Sequence, residues 1–152
     1  KMFRNGEFLI AGTGSYRVIQ LLRYTFVPPV IHDEADLYAY MCTDFITAVR
    51  KCLTDNGCND INNTNHESTP YSTTLLVGVR GRLFYIGNDY QVGESSDNCF
   101  CDGSGYAYAY GALNALKLIK DKRHAVDKIL LALDTAAKYS PYVKEPFHTD
   151  SI

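Results

Sequence analysis

Apolar residues in this chain fall into two kinds of run, one short and dense, the other spaced at helical intervals. The opening "KMFRNGEFLIAG" sets an Asn5-Gly6 pair between apolar stretches, favoured chemistry for a tight hairpin because both central residues tolerate positive φ. Two short strands are expected. The second, Phe8 to Ala11, is apolar at every position, as in a strand covered on both faces. After "GTGS" the period changes: Val18, Leu21 and Leu22 in "YRVIQLLRY" recur at helical spacing, and Ser15 stands where an N-cap belongs. Pro28 and Pro29 hold an extended linker. Asp33, Glu34 and Asp36 then bring acid to the start of a second helix, expected from about Asp33 to Leu53, where the helix dipole favours it. Leu37, Met41, Phe45, Ala48 and Cys52 share one face of that helix, and "TDNG" ends it. The following "CNDINNTNHESTPYS" is polar and without period, and reads as a surface loop within one domain.

The second half repeats the order of the first. "TTLLVGVRGRLFYIGNDYQV" predicts two strands about an Arg80-Gly81-Arg82 turn, and a short strand near "NCFCD" leads into Gly103-Ser104-Gly105. Helices are expected from about Tyr106 to Lys120 and from about His124 to Tyr139. Strands, glycine turn and two helices thus occur twice. That order predicts a single α+β domain over residues 1–152, with two sheets face to face and a helix pair outside each: a four-layer αββα sandwich.

Composition narrows the function classes. A chain of 152 residues suits one domain, and a net charge of -2 gives no electrostatic reason to expect nucleic acid or an acidic membrane as partner. No apolar run approaches a bilayer span. The odd count of five cysteines at irregular spacing argues against a secreted disulfide framework and for a reducing, cytoplasmic setting. "CFC" lacks usual zinc-ligand spacing and the histidines at 32, 66, 124 and 148 are scattered, so neither a metal nor a cofactor is expected. Lys1 is not a methionine and opens the sequence inside a hairpin, so a segment is expected ahead of it.

The stretch "CDGSGYAYAYGALNAL" holds the candidate chemistry. Ala107, Gly111 and Ala115 fall four residues apart, giving a ridge with almost no side chain that would let another backbone approach. Taken locally, the glycines mark a tight strand-to-helix turn, Ser104 a helix cap and Lys1 a solvated strand residue. The turn lacks the third glycine of a dinucleotide fingerprint.

This stretch closely resembles the GSG turn and following helix of proteasome β-subunits. The whole order is similar to the HslV peptidases, with "FLIAGTGS" early and "FHT" at Phe147 to Thr149. Both belong to the N-terminal nucleophile hydrolases, whose fold is the αββα sandwich. The resemblance implies roles one position at a time. Lys1 matches a lysine that keeps the nucleophile's surroundings positive. In "AGTGS", Gly14 best matches the donor of a backbone N–H to the oxyanion, with Gly12 or Ser15 in its place if the register slips. Ser104 matches a serine that hydrogen-bonds near the nucleophile's amino terminus, and small neighbours such as Gly105 let that terminus sit close. Where the family often carries an aspartate after the last long helix, Lys138 aligns, with Asp134 or Ser140 as alternatives. The nucleophile itself, an amino-terminal threonine, and a supporting aspartate would lie in strands ahead of Lys1.

The resemblance therefore implies a threonine-type peptidase subunit acting on peptides or unfolded protein. It implies a homo-oligomeric ring and an ATP-dependent unfoldase as partner. A non-catalytic ring-forming scaffold subunit, or an amidase acting on a small amide, are the competing expectations.

Overall fold

A computed structural model describes residues 1–58 and 73–151. Apart from Cys58, the polar stretch expected to form a surface loop lies outside the described residues. The described chain is α+β and divides into two compact units, Lys1–Asn98 and Cys99–Ser151.

The first unit is an antiparallel meander with helices. Strands β1 (Met2–Asn5), β2 (Phe8–Gly14), β3 (Thr73–Val79), β4 (Arg82–Ile86) and β5 (Val92–Glu94) form one sheet in sequence order. Because β2 pairs with β3, from Leu9 opposite Gly78 to Gly14 opposite Thr73, strands from the two halves of the repeat join a single sheet. A second sheet is not found among the described residues. The short strand expected near residues 98–102 lies instead at Val92–Glu94. There Arg82 on β4 grips Glu94 with two N–H···O bonds of 2.6 Å and anchors the sheet's edge.

Both predicted hairpins form, one of them shifted. Arg80 (φ 48°) and Gly81 (φ 73°) make the two-residue turn between β3 and β4, as the primed turns of twisted hairpins require. In the first hairpin Asn5 pairs with Phe8, so the central residues are Gly6 and Glu7, one position later than expected. The Asn5 amide is used elsewhere: it donates to the carbonyls of Leu22 (3.1 Å) and Phe26 (2.8 Å) and ties down the end of the first helix. On β2, Phe8 and Ile10 are buried while Leu9 and Ala11 are only half-covered, so one face carries the core.

Helix α1 (Tyr16–Tyr24) starts where the sequence places it, with the Ser15 hydroxyl accepting from the Val18 N–H at 3.4 Å. The second helical stretch begins at Leu37, not Asp33, because Asp36 caps it by accepting from the N–H groups of Tyr38 and Ala39. It runs as α2 (Leu37–Tyr40), a wider π-helical turn at Met41–Phe45, and α3 (Ile46–Asp55). The extra residue of that turn re-aims the apolar face. Leu37, Tyr40, Met41, Phe45, Ile46, Val49 and Leu53 are buried, while Ala48 and Cys52 are only partly covered. At the end of α3, Gly57 (φ 77°) supplies the left-handed residue of a Schellman cap, with the Cys58 N–H donating to Leu53 and the Gly57 N–H to Thr54.

The second unit holds α4 (Tyr106–Leu118) and α5 (Ala125–Tyr139), close to the expected bounds. Their contact is made by Ala109, Ala132 and Ala136, with Cys101, Ala112, Leu113 and Val143 around them. The small-residue ridge predicted for close approach is not the face that α4 turns to α5. Ala107, Gly111 and Ala115 are exposed, and nothing lies within 4 Å of where a Gly111 Cβ would stand.

Candidate active site

The end of β2 gathers the first set of predicted residues. Strand alternation fixes the backbone directions. The Gly12 N–H donates to the Lys1 carbonyl at 3.2 Å, across to the β1 side. Gly14, two residues on, faces its peptide groups the same way. The Gly14 carbonyl accepts from the Lys1 ammonium at 2.8 Å. Gly14 has φ 96°, in the left-handed region that favours glycine, so a side chain there would strain the link from strand to helix. Gly12 is tight for a different reason: a Cβ there would crowd Ile19 Cδ1 and stand 2.9 Å from Leu75 Cδ2 and 3.1 Å from the Thr74 carbonyl oxygen. Ser15 is spent on structure, its hydroxyl capping α1 and its N–H donating to Thr73 Oγ1 at 3.1 Å.

Residues that sequence reasoning missed complete this end of the sheet. The Lys1 ammonium stands 3.9 Å from the centre of the Tyr16 ring. Such a contact is worth about 0.5–1 kcal/mol at an exposed site. Thr13 and Thr74 share a hydroxyl hydrogen bond of 2.7 Å across β2 and β3. Tyr16 was discoverable as the first helical residue after the cap. Thr73 and Thr74 required the β2–β3 register, which no local pattern supplies. The arrangement holds an ammonium beside backbone groups at a glycine turn, and an ammonium so placed favours a neighbouring group's loss of a proton.

The second glycine turn lies in the other unit. Gly103 takes φ 95° and its carbonyl accepts from the Tyr106 N–H at 3.1 Å. Ser104 is exposed and does not cap the helix. The N-cap is Gly105, without a side-chain cap bond. Gly105 is buried, and a Cβ on it would stand 2.7 Å from Val143 Cγ2 and 2.9 Å from Ala136 Cβ. The turn is therefore small because α5 and the chain after it pass close behind.

Of the three positions aligned with the family's late aspartate, Lys138 and Asp134 are exposed on α5, and Ser140 is buried as its C-cap. All five cysteines are thiols. Among the described residues no helix is long and apolar enough to cross a membrane.

No protein-family profile matches this chain, and no curated protein matches it. Solved structures do. The chain superimposes on Thiobacillus denitrificans BPH with a TM-score of 0.71 at 20% identity, covering 96% of this chain and 75% of that one. The complex of that protein with epoxomicin matches at 0.70. Eukaryotic HslV from Trypanosoma brucei gives 0.58 at 18% identity over 95% of this chain and 75% of that one. The Anbu complex of Pseudomonas aeruginosa, a helical assembly, gives 0.58 at 17% identity over 96% of this chain and 65% of that one. The chain thus has the proteasome-type fold of BPH, HslV and Anbu.

Proposed function

We propose that this chain is the greater part of one proteasome- and HslV-like domain, a threonine-type peptidase subunit that cleaves peptides or unfolded protein. In the whole protein an amino-terminal threonine ahead of Lys1 is the nucleophile. Strands ahead of Lys1 contribute to a second sheet and so to the four-layer αββα arrangement. The threonine hydroxyl attacks the scissile carbonyl while its own α-amine takes the proton. The Lys1 ammonium stabilises the negative charge that develops, and a backbone N–H of the first glycine turn holds the oxyanion. An acyl-enzyme forms, the amine product leaves, and water releases the second product. Ser104 hydrogen-bonds near the α-amine, and Gly105 keeps that turn small.

One observation carries this reading: the Lys1 ammonium is held 2.8 Å from the Gly14 carbonyl. The N–H groups of the alternatives are already committed, Gly12 to Lys1 and Ser15 to Thr73, which favours Gly14 as the oxyanion donor. The BPH neighbour is described in complex with epoxomicin and the Anbu neighbour as a helical assembly, which supports a peptidase family and a homo-oligomer. We place the subunit in a cytoplasmic homo-oligomeric ring served by an ATP-dependent unfoldase.

The test uses the full-length protein. Mass spectrometry of its mature N-terminus should find threonine, and epoxomicin should add its mass there and stop hydrolysis of a fluorogenic peptide. Gly14→Val should cost about a hundredfold in rate through the displaced oxyanion donor. Ser104→Ala should cost only about two- to tenfold, one neutral hydrogen bond's worth. Lys1→Ala should lower kcat with the assembly intact. A mature N-terminus other than Thr, Ser or Cys, or parent rates in the Lys1 and Gly14 variants, replaces this reading with that of a scaffold subunit.

A further inference from the structure

Cys99 and Cys101 flank Phe100 in the irregular chain between β5 and α4, and the neighbouring Cys99 thiol is one of the groups that raise the pKa of Cys101. Two residues apart in sequence, their Cα atoms lie no more than about 7 Å apart, near the upper end of the roughly 4.4–6.8 Å that a disulfide spans. A slight bend of this one segment therefore joins the sulfurs, and no helix or strand has to move. Phe100 is pinned by an edge-on contact with Tyr110, with ring centres 6.1 Å apart. Cys101 packs against the alanine contact of α4 and α5. Both thiols are half-exposed, so a small reagent can reach them.

We propose that Cys99 and Cys101 are a redox-active dithiol, oxidised by low-molecular-weight disulfides to an intramolecular bridge that tethers the chain entering the second glycine turn. The Cys99 thiolate attacks one sulfur of the external disulfide, forming a mixed disulfide and releasing one external thiolate, which takes up the proton that Cys99 lost. Cys101 then gives up its proton and attacks Cys99 Sγ, and the second external thiol leaves with that proton. Two protein thiols are oxidised and one external disulfide is reduced to two thiols. Burial pushes the Cys101 thiol up to about 11, which makes it the poorer first attacker, and its attack in the second step is helped by being intramolecular. So small a ring is strained, and strained bridges are readily reduced again. The other thiols differ in kind. Cys58 is buried, burial raises the Cys52 thiol, and Cys42 is exposed on the helical stretch.

The bridge ends three residues before Ser104, so its consequence for catalysis rests on the peptidase reading; the thiol chemistry does not. The chain is treated with oxidised glutathione, blocked with N-ethylmaleimide and peptide-mapped. The expected product is a Cys99–Cys101 bridge, reversed by dithiothreitol, with Cys42 carrying at most a mixed disulfide. Cys101→Ser should halt at glutathione on Cys99. Phenylarsine oxide, which needs two adjacent thiols, should protect both cysteines of the unsubstituted chain from alkylation. Amide exchange in the first turn of α4 should slow on oxidation. A bridge at Cys52–Cys58 instead, a Cys101 still alkylated while Cys99 holds glutathione, or no arsenical protection overturns the dithiol. Unchanged exchange in α4 overturns the tether.

Discussion

The two units are built on opposite packing rules. In the first, large side chains fill the space between sheet and helices: Phe8, Phe26, Tyr40 and Phe45 meet ring against ring, with centroids of 5.0 Å for Phe8–Phe45 and 5.4 Å for Phe26–Phe45. In the second, α4 and α5 meet through Ala109, Ala132 and Ala136. Val126, Ile129, Leu118 and Ile119 are left exposed. A core of large groups is stabilised by the apolar area it removes from water. A contact of alanines removes little area and depends on backbones lying close, so it is intolerant of any added atom. Stability should accordingly be lodged in the first unit, and geometric exactness in the second.

The sharpest test of that contrast is Phe45→Ala. Phe45 is fully buried and touches three other rings, so the cavity should cost about 3–5 kcal/mol. The loss is read as a fall in the urea midpoint with protection lost in β2 and β3. A cost below about 1 kcal/mol, the level of an ordinary surface change, would mean that the first unit does not rest on this cluster. In the second unit the sign of the size change should reverse. Gly105→Ala adds one methyl against Val143 and Ala136 and should destabilise by about 1–3 kcal/mol. The same substitution at Gly111, where the space is open, should stabilise by roughly 0.5–1 kcal/mol through helix propensity. Equal effects at the two glycines would remove the close-approach argument.

The helix ends refine the comparison. Helices α3 and α4 both finish in a Schellman cap, the second with the Asp121 N–H donating to Leu116 and the Lys120 N–H to Lys117. The first unit places Gly57 at the left-handed position. The second forces Lys120 into it at φ 53°. Lys120→Gly should therefore stabilise by about 0.5–1 kcal/mol, measured as a raised Tm. A neutral or negative result would mean that the lysine side chain repays its backbone conformation.

These residues also mark how far the sequence was legible. Local signals carried the elements: Ser15 before α1, Arg80-Gly81 between β3 and β4, Gly57 after α3. What failed depended on partners far away in the chain. The first hairpin shifts because Asn5 is drawn to carbonyls at residues 22 and 26. The last strand moves because Glu94 meets Arg82. Strands from the two halves join one sheet among the described residues through the β2–β3 pairing, which sets Thr13 beside Thr74, 61 residues on. Helix α4 has two faces of small residues. Periodicity finds both, but only the neighbour decides which is inside. For the site, the glycine turns were legible because positive φ and close approach both demand glycine. The Tyr16 ring under Lys1 had no such signature.

The smallest expected effects come from two exposed ion pairs, and they separate a cross-link from a local clasp. The Arg82 hydrogen bonds hold the Glu94 carboxyl below its ordinary range and join two strands. The side-chain and backbone donors of Arg123 hold the Asp121 carboxyl at about 2, two residues away in the α4–α5 connection. In both, the folded carboxyl binds its proton less readily than the unfolded one. The stabilisation is therefore fully present above the unfolded pKa, about 4, and is lost as pH falls through the folded value. Glu94→Gln and Asp121→Asn should each lower Tm at neutral pH, and each deficit should shrink on acidification, for Asp121 down to about pH 2. Salt should reduce both, since in each pair the arginine reaches solvent. Asp121→Asn should be the milder, because Arg123 is only two residues from Asp121 and their contact closes a local turn, whereas Gln at 94 weakens a contact that joins β4 to β5. Deficits that stay constant from neutral pH to pH 2 would show that neither carboxylate acts through its charge, and a larger deficit at Asp121 would put the stronger restraint in the second unit.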